Sequence, residues 1–335
     1  MTKKVKYNAV VVGSGSIGAT KPDKFDSPKT KNVLTIAHAF YKHPQIELIG
    51  IVDTDISKAK SAARKWKTVS YKSIDQIDKP IDIMALCIPT DKHYDFINNH
   101  FNLSKSMTPK VLLAEKPFCN SYDEAVKAKN ILYKKDIMTS IDYIRRYDTS
   151  VQMLKQDIES GHIGEIYSCI VHYDRGLVRD GCHAIDICNY LFGKFLGGGI
   201  LSGRRCNDYD DKDLTYPVHM VYENCGNVFM VPGNGEAFSI FEIDIIGEKG
   251  RIRLVDHGLK LEVYKVEKEK TYGTYNAMGI DYLKPRIKTE QPKALMNYAD
   301  NAVRYLDWKE DLLCTPDDAI EVHRIIEKLL KGVYL

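Results

Sequence analysis

The chain is 335 residues long; 44% of its residues are hydrophobic and 28% are charged. This is the composition of a folded globular protein, and the length exceeds one ordinary hydrophobic core, which favours two domains. The 48 Lys and Arg residues nearly balance the 45 Asp and Glu residues, which argues against a protein that binds nucleic acid or a membrane surface. No apolar run approaches the roughly 20 residues of a membrane span, and the N-terminus lacks a signal-peptide pattern, so we expect a cytoplasmic location.

The eight cysteines are spaced too widely for a zinc site or a disulfide framework. No Cys-x-x-Cys pair occurs, and several cysteines lie within apolar, strand-like runs such as MALCIPT and YSCIVHY. We therefore expect reduced, buried thiols and no metal site.

The first predicted element is a strand, Asn8–Gly13, which leads into a glycine-rich turn. Gly13, Gly15 and Gly18 form the pattern G-x-G-x-x-G, with Ser14, Ser16 and Ile17 between them. The first glycine permits a tight turn, the second lets backbone N–H groups approach a pyrophosphate, and the third permits close helix–strand packing. The next predicted strand ends in Asp53, whose carboxylate can bond both hydroxyls of a ribose and repels a 2′-phosphate. These features predict a dinucleotide site.

The sequence immediately after the turn does not predict a helix. Asp53 lies 40 residues beyond Gly13, about twice the usual gap of about 20. Ser27 as N-cap and Pro28 at the first helical position predict that the crossover helix begins near Pro28. Ala19–Asp26 is then an added surface loop.

Two interpretations of this added loop stay open. One of its lysines, Lys21 or Lys24, or Lys29 just beyond it, can fold over the cofactor phosphates. Alternatively the loop is simply solvated, which we favour because runs of charge usually lie in solvent.

Four further apolar runs in the first half predict strands: Ile46–Asp53, Ile81–Pro89, Lys110–Pro117 and Ile137–Tyr143. They are nearly continuously apolar, as parallel strands covered on both faces must be. Segments with helical spacing separate them: DISKAKSAARKWK, KHYDFINNHFN and SYDEAVKAKNILYKKD. This alternation predicts an α/β fold, with a doubly wound parallel sheet in a dinucleotide-binding domain over residues 1–145.

One lysine lies at the end of a predicted strand, where it can contact a substrate. The sequence AEKPF, Ala114–Phe118, ends the strand that precedes the last one of the sheet. The carboxyl ends of such strands line the ligand crevice, so Lys116 can hydrogen-bond a substrate hydroxyl and stabilise developing charge. Pro117 stiffens this backbone and allows a cis peptide bond.

In the second half, the sequence pattern changes after a predicted helix near Ser150–Ser160. Strand-like runs then dominate: IYSCIVHY, YPVHMVYE, NVFMVP, FSIFEIDIIG, GRIRLVD and KLEVYKV. Their alternation predicts a mostly antiparallel, open sheet. Late helices are predicted over Lys293–Trp308 and Pro316–Lys331, the last of which can pack back on the first domain. We assign residues 146–335 to a second domain for substrate binding and oligomerisation.

A histidine in this half is the second chemical candidate. His183 lies in RDGCHAIDICNYLFG, where it precedes or opens a predicted helix. The helix macrodipole disfavours the imidazolium there, so the ring can accept a proton near neutral pH. Asp186, one turn on, can orient the ring.

Together these motifs resemble the glucose–fructose oxidoreductase / inositol dehydrogenase / MocA (Gfo/Idh/MocA) family of NAD(P)-dependent oxidoreductases. The matching pieces are the glycine turn, His38–Ala39, Asp53, IPTDKH, EKP, YIRRYD, SGHIGEI, GCHAID and DIIGEKGRIRL. The resemblance implies a Rossmann domain, a C-terminal α+β domain with an open sheet, and hydride transfer at a sugar or cyclitol carbon.

The resemblance also implies roles for individual residues. Lys116 and His183 match the family's catalytic lysine and histidine, and Asp186 matches the acid of the histidine's helix. Pro89, Thr90 and His93 match a loop on the cofactor side, as Glu115 does through the EKP motif. Tyr143 and Arg146 match a segment near the substrate.

One departure from the family concerns the aspartate four residues before the histidine, a position that is Arg179 here. Asp180 lies one residue nearer and can turn into the same place, while Arg179 can clamp an anionic group of the substrate. Three functions therefore stay open: an NAD-dependent sugar or cyclitol dehydrogenase, which we favour; a catalytically silent nucleotide-sensing regulator; and an NADP enzyme for a nucleotide-linked, acidic or amino sugar. A homo-oligomer, a dimer or a tetramer, is expected because an open sheet leaves one face to cover.

Overall fold

The computed structural model describes residues 6–103, 108–203, 205–280 and 287–332. The chain divides into two compact units. The first comprises Met1–Tyr147 and Pro292–Glu321, and the second comprises Asp148–Gln291 and Val322–Leu335. The sequence divided the chain once, between residues 145 and 146, and allowed the last predicted helix to pack back on the first domain; in the structure, residues 292–321 group with the first unit.

The first unit is built on a six-stranded parallel sheet. Its strands are β1 (Tyr7–Val12), β2 (Ile46–Val52), β3 (Ser70–Tyr71), β4 (Ile83–Leu86), β5 (Val111–Ala114) and β6 (Met138–Ile141), in the order β3-β2-β1-β4-β5-β6. Its helices are α1 (Ile36–Lys42), α2 (Ile56–Trp66), α3 (His93–Ile97) and α4 (Tyr122–Lys134). All residues of β4 and β5 are buried, as expected for parallel strands with both faces covered. The predicted doubly wound sheet is confirmed.

The second unit is built on a nine-stranded sheet. It contains the helices α5 (Thr149–Glu159) and α6 (Gly181–Phe192) and the strands β7 (Ile166–Tyr173), β8 (Phe195–Ile200), β11 (Val218–Tyr222), β12 (Cys225–Pro232), β13 (Glu242–Gly247), β14 (Gly250–Val255), β15 (Lys260–Lys268), β16 (Asn276–Ile280) and β17 (Ile287–Lys288). The order is β16-β15-β14-β13-β7-β12-β11-β8, with β17 beside β15, and the short strands β9 (Cys206–Asp210) and β10 (Asp213–Thr215) pair separately. Among the described strands of this sheet, only β7 and β12 pair in parallel, so the predicted mostly antiparallel sheet is confirmed.

Two late helices complete the described chain: α7 (Ala294–Trp308) and α8 (Pro316–Leu330). Both predicted late helices are therefore present. No helix among the described residues has the length and apolar character needed to cross a bilayer.

The predicted start of the first crossover helix was wrong. The helix α1 begins at Ile36 and is capped by Thr35, whose side-chain oxygen accepts a hydrogen bond from the N–H of His38. Residues 28–35 are turns and loop, although Ser27 and Pro28 carry a helix-start signal. The physical reason lies in how the glycine turn bonds to α1.

Candidate cofactor and catalytic site

The glycine turn has the geometry of a phosphate-binding turn. Gly13 has a φ of +96°, and a Cβ there would clash with the carbonyl oxygen of Cys87, so only glycine fits. A Cβ on Gly18 would clash with the carbonyl oxygen of Gly13. At Gly15 a Cβ would meet no atom within 4 Å, which leaves open space beside the backbone where a pyrophosphate can approach.

Residues 15–19 form a single helical turn. The N–H groups of Ala19 and Thr20 both donate to the carbonyl oxygen of Gly15 at 3.0 Å. Within the described part of the chain, the N–H groups of residues 15–18 have no hydrogen-bond acceptor, as the first four N–H groups of a helix must. They are the donors that an anionic phosphate group would use.

The helix α1 continues this turn after an insertion. The N–H of Ile36 donates to the oxygen of Ile17 at 3.0 Å, and the N–H of Ala37 donates to the oxygen of Gly18 at 2.9 Å. In one uninterrupted helix those two oxygens would bond to residues 21 and 22. The loop thus inserts fifteen residues into what is otherwise one hydrogen-bonded helix.

The inserted loop is anchored by a buried acid. The side chains of Asp26, Thr35 and His38 are all fully buried. Asp26 accepts hydrogen bonds from the N–H of Leu34 at 3.0 Å and the hydroxyl of Thr35 at 2.8 Å, and it lies 2.6 Å from Nδ1 of His38. The ring of His38 stacks on Trp66. The loop is therefore fixed to α1 and α2 at its base.

The lysines proposed as a lid over the phosphates do not line the cavity beside the turn. Lys21 is instead tied through its carbonyl oxygen, which accepts a hydrogen bond from Lys65 at 2.7 Å. The neighbouring Asp23 pairs with the same Lys65. This arrangement agrees with the solvated-loop interpretation, and phosphate binding by these lysines stays a prediction.

Asp53 lies at the end of β2, as predicted, and is held against the turn. Its Oδ2 accepts hydrogen bonds from the backbone N–H of Ser14 at 2.9 Å and from the Ser14 hydroxyl at 2.6 Å. Its Oδ1 accepts a bond from the N–H of Asp55 at 2.9 Å. Ser14 itself is buried, so the serine acts by orienting this carboxylate.

A cavity of about 630 Å³ opens beside the turn. Gly13, Gly15, Asp53 and Pro89 are the predicted cofactor residues that line it. The cavity also has lining residues that sequence reasoning missed, which follow the carboxyl ends of β2, β3 and β4: Thr54, Lys58, Lys72, Ser73, Ile74, Lys92, Asp95, Phe96, Asn99 and His100. Their position after strand ends was the available signal.

His93 does not line this cavity but connects two of the loops near it. Its ring is fully buried, and Nδ1 and Nε2 lie 3.0 Å from the carbonyl oxygens of Phe118 and Ile88. Burial lowers the pKa of His93, while the two carbonyl contacts act in the opposite direction. The ring thus braces the loops that follow β4 and β5; a direct contact with a cofactor stays a prediction, as it does for Thr90.

Lys116 follows β5 immediately after Glu115. The Lys116–Pro117 peptide bond is cis, as the sequence allowed. Glu115 has a carboxylate oxygen inaccessible to solvent, and its carboxyl group is paired with that of Asp142. Asp142 directly follows β6, and sequence reasoning did not single it out.

Tyr143 and Arg146, the predicted substrate residues of the YIRRYD segment, are buried. Tyr143 is 1% exposed and Arg146 is 4% exposed. One guanidinium nitrogen of Arg146 donates to the carbonyl oxygen of Leu313 at 3.1 Å and to Asp318 at 3.0 Å. These contacts give Arg146 a structural role within the first unit, and its contact with a substrate remains a prediction.

In the second unit, His183 lies on a continuous helical segment. A π-helical stretch, Gly176–Asp180, runs directly into α6, so His183 does not stand at a free helix start. The macrodipole argument made from the sequence is therefore weaker than expected. The imidazole is half-buried, and Asp186 one turn on is 1% exposed.

Arg179 and Asp180 both belong to the π-helical stretch. The guanidinium of Arg179 lies over the ring of Tyr209, 3.7 Å from its centroid. Its Nε is 3.9 Å from an oxygen of Asp180, a long ion pair. The backbone N–H of Arg179 donates to Asp213 at 2.9 Å. π-Helical segments often mark functional sites, and this one carries both residues at which the family resemblance is uncertain.

Comparison with known proteins identifies the first unit. The family model for oxidoreductases with an NAD-binding Rossmann fold, Gfo/Idh/MocA, matches residues 7–143. Over this segment the chain matches the Gfo/Idh/MocA family. The matched segment contains the glycine turn and Asp53.

Two curated relatives match part of the chain. An uncharacterized oxidoreductase of Schizosaccharomyces pombe is 30% identical over 157 residues, which are 41% of this chain and 41% of the relative. The scyllo-inositol 2-dehydrogenase (NAD(+)) of Bacillus subtilis is 26% identical over 199 residues, 52% of this chain and 56% of the relative. The match thus spans about half the length of these relatives or less.

Solved structures share the fold over nearly the whole chain. An oxidoreductase from Agrobacterium radiobacter in complex with NAD+, L-tartaric acid and magnesium superposes with a TM-score of 0.72 at 16% identity, covering 98% of this chain and 96% of that one. The super-repressor mutant of Gal80p from Saccharomyces cerevisiae superposes with a TM-score of 0.74 at 16% identity, with coverage of 98% and 96%. At such identities the likeness concerns the fold.

Proposed function

We propose that the protein is an NAD-dependent oxidoreductase that transfers hydride between the nicotinamide and a secondary alcohol or ketone of a sugar, cyclitol or sugar derivative. The observation that carries this proposal is the turn at residues 15–18, where four backbone N–H groups stand beside the fixed carboxylate of Asp53 and have no acceptor among the residues that the structure describes. The scyllo-inositol 2-dehydrogenase relative supports the substrate class.

The residues of the first unit fit a bound dinucleotide. The open space at Gly15 and the free N–H groups would hold the pyrophosphate, and Asp53 would accept bonds from a ribose. Because Ser14 fixes Asp53 in place, a 2′-phosphate would meet a carboxylate that cannot turn away. This favours NAD over NADP.

In the proposed reaction, two side chains of the protein handle the substrate oxygen and its proton. Lys116 donates a hydrogen bond to the alcohol oxygen and stabilises negative charge on it, and His183 accepts the hydroxyl proton. Asp180 or Asp186 orients the imidazole. The bound nicotinamide accepts or supplies the hydride.

The test is an absorbance screen of purified protein with NAD+ or NADH against inositols, aldoses, sugar acids and nucleotide sugars. Lys116→Ala should abolish turnover while dinucleotide affinity stays within about threefold, since the lysine contacts the substrate rather than the phosphates. Lys127→Ala, an exposed lysine on α4, is the matched control. Full turnover in Lys116→Ala would contradict the assignment.

A second candidate is a nucleotide-sensing regulator on the same fold, favoured by the Gal80p structures among the neighbours. Such a protein would bind NAD(H) but turn over no substrate in the screen. Dinucleotide binding measured by calorimetry, together with a silent screen, would favour this function.

A further inference from the structure

The strand ends beside Lys116 carry two adjacent acids. Ala114 of β5 is paired in register with Ile141 of β6, so the next residues, Glu115 and Asp142, stand side by side at the same edge of the sheet. The backbone supports this placement, because the N–H of Asp142 donates to the oxygen of Ala114 at 2.8 Å. The pairing of the strands therefore brings the two carboxyl groups together.

The pKa of each carboxyl group depends on the other, as expected for two groups within hydrogen-bonding reach. Each also has one oxygen, Oε1 of Glu115 and Oδ1 of Asp142, that solvent does not reach and that has no hydrogen-bond partner among the described residues. A hydrogen bond between two carboxyl groups requires a proton on one of them. Like charges in contact also disfavour double ionisation.

The surroundings also favour one proton in the pair. Burial raises the pKa of Asp142 well above its usual range, and the charge of Glu115 raises it further. Burial raises the pKa of Glu115 as well, although the bond to Asp142 and the charge of Lys116 oppose this. With one shared proton, the pair carries one negative charge.

Among the residues that the structure describes, the other titratable groups that interact with the pair are neutral in the ordinary pH range, apart from Lys116. They are Cys87 after β4, Tyr147 after β6 and Tyr298 on α7, and the pKa of each is raised, with burial as the first cause. The hydroxyl of Tyr298 donates to the oxygen of Ser140 at 2.7 Å. One ammonium thus faces one net negative charge.

We propose that Asp142 is a positioning residue for Lys116: Asp142 and Glu115 share one proton, and the resulting single negative charge holds the Lys116 ammonium where it can donate to the substrate oxygen. The role in turnover depends on the proposed function. Loss of the shared proton to solvent at high pH would leave two negative charges, which draw the ammonium toward the pair and away from the substrate.

The first experiment counts protonated carboxyl groups without using turnover. Infrared spectra of the full chain in H₂O and D₂O at pH 7 should show one fewer protonated carboxyl in Asp142→Asn and in Glu115→Gln than in the wild type. Asp148 and Asp213, whose pKa values burial also raises, contribute equally to all three samples and cancel in the difference. Unchanged spectra in both variants would overturn the shared proton.

The second experiment measures how firmly the pair holds Lys116, through the reactivity of its amino group. Competitive acetylation followed by mass spectrometry should label Lys116 in Asp142→Asn at the wild-type rate, because one carboxylate remains. The double variant Glu115→Gln/Asp142→Asn should label several-fold faster, because no carboxylate then holds the amino group and it reaches the reagent more easily. Lys127 in the same digest is the internal control. Equal rates in all three proteins would show that the pair does not act on Lys116 and overturn the proposal.

The third experiment uses kcat against pH with whichever substrate the screen identifies. Asp142→Ala should lower kcat about 10- to 100-fold, as expected for a misplaced reacting group, with the affinity for NADH unchanged. Asp142→Asn, whose amide replaces the protonated carboxyl, should restore most of kcat and lack the alkaline decline of the wild type. Equal losses of kcat in the two variants would overturn the proposal. The control is Asp123→Asn, at an exposed position on α4.

If no substrate is found, the proposed function fails, while the infrared and labelling experiments still decide whether the pair shares a proton and acts on Lys116.

Discussion

At the scale of single residues, Ser14 deserves a functional rather than a packing explanation. It occupies the variable position between the first two glycines of the turn, yet both its backbone N–H and its hydroxyl bond to the same oxygen of Asp53. The motif predicted the acid and the turn separately. It could not predict the bond between them, because that bond depends on how β1 and β2 stagger in space.

We expect Ser14→Ala to weaken NAD binding about three- to tenfold, the effect of losing about one hydrogen bond. The loss should be smaller for NADP, since a freer Asp53 carboxylate can move away from the 2′-phosphate. Fluorescence titration with NADH and NADPH measures both affinities. Ser61→Ala, exposed on α2, is the control; equal weakening for both cofactors would show that Ser14 does not set the preference.

The pair of Glu115 and Asp142 illustrates a limit of sequence reasoning at this scale. Lys116 was recognisable from its position after an apolar strand, and the same signal was present for Asp142 after β6. Only the register of β5 with β6 shows that the two acids are neighbours. Two acids 27 positions apart carry no mutual signal in the sequence.

At the scale of elements, the interrupted crossover helix shows how tertiary contacts can outweigh local signals. Ser27 and Pro28 have helix-start character, but the N–H groups of Ile36 and Ala37 bond to the carbonyl oxygens of Ile17 and Gly18. That bonding requires α1 to continue the first turn. The strands and α2 were predictable because their apolar patterns coincide with their burial.

We expect Asp26→Ala to lower the free energy of unfolding by about 2–4 kcal/mol, because it leaves Thr35, His38 and the N–H of Leu34 buried without their acceptor. Urea unfolding at pH 7 measures the loss. Hydrogen exchange should show the faster opening confined to residues 20–35 at low urea. Asp23→Ala, whose carboxylate is largely exposed, should change stability by less than about 0.5 kcal/mol; a similar loss in both variants would contradict the anchoring role.

The helix α8 contains a buried histidine that should make stability depend on pH. Burial lowers the pKa of His323 to about 4, with Glu327 acting weakly in the opposite direction. The neutral ring is therefore favoured in the folded state. Its contribution is complete above the unfolded pKa of about 6.5 and decreases as the pH falls toward 4.

Between pH 7 and pH 5, this single group should reduce the free energy of unfolding by about 2 kcal/mol. His323→Leu removes the titration, so the difference between the two pH values should shrink by that amount in urea unfolding. His162→Gln, on an exposed ring, is the control. An unchanged pH dependence in His323→Leu would exclude this source.

At the scale of the whole molecule, the sequence was most informative where burial is uniform. The parallel strands of the first unit are continuously apolar, and five of the six were predicted. The missed strands carry weaker patterns: β8 contains three consecutive glycines, and β9 contains three polar or charged residues among its five. Such strands form because neighbouring strands supply hydrogen bonds, which no local pattern records.

The two faces of the nine-stranded sheet differ in how deeply their side chains are buried. Along β7 the residues alternate, with Cys169, Val171 and Tyr173 buried and Ile170 half-exposed. The helix α6 packs on β7. Across the other face, one row of paired residues runs from β11 to β15: His219, Phe229, Ile170, Asp244, Arg253 and Glu262.

The middle of this row contains the apolar residues Phe229 and Ile170, and its far end contains Asp244, Arg253 and Glu262, which carry charges of both signs. A second copy turned by 180° can therefore meet it without a net charge of one sign. We expect the protein to form a homo-oligomer through this face.

Ile170→Lys places a charge in the apolar part, where it is unfavourable in an interface, while Asp244 on the next strand compensates it in the separate chain. The variant should therefore stay folded and sediment as a monomer of 38.2 kDa where the wild type sediments at twice that mass or more. Tyr167→Lys, at an exposed position of the same strand that points to the opposite side, should not change the mass; a monomeric wild type, or dissociation of both variants alike, would contradict an interface on this face.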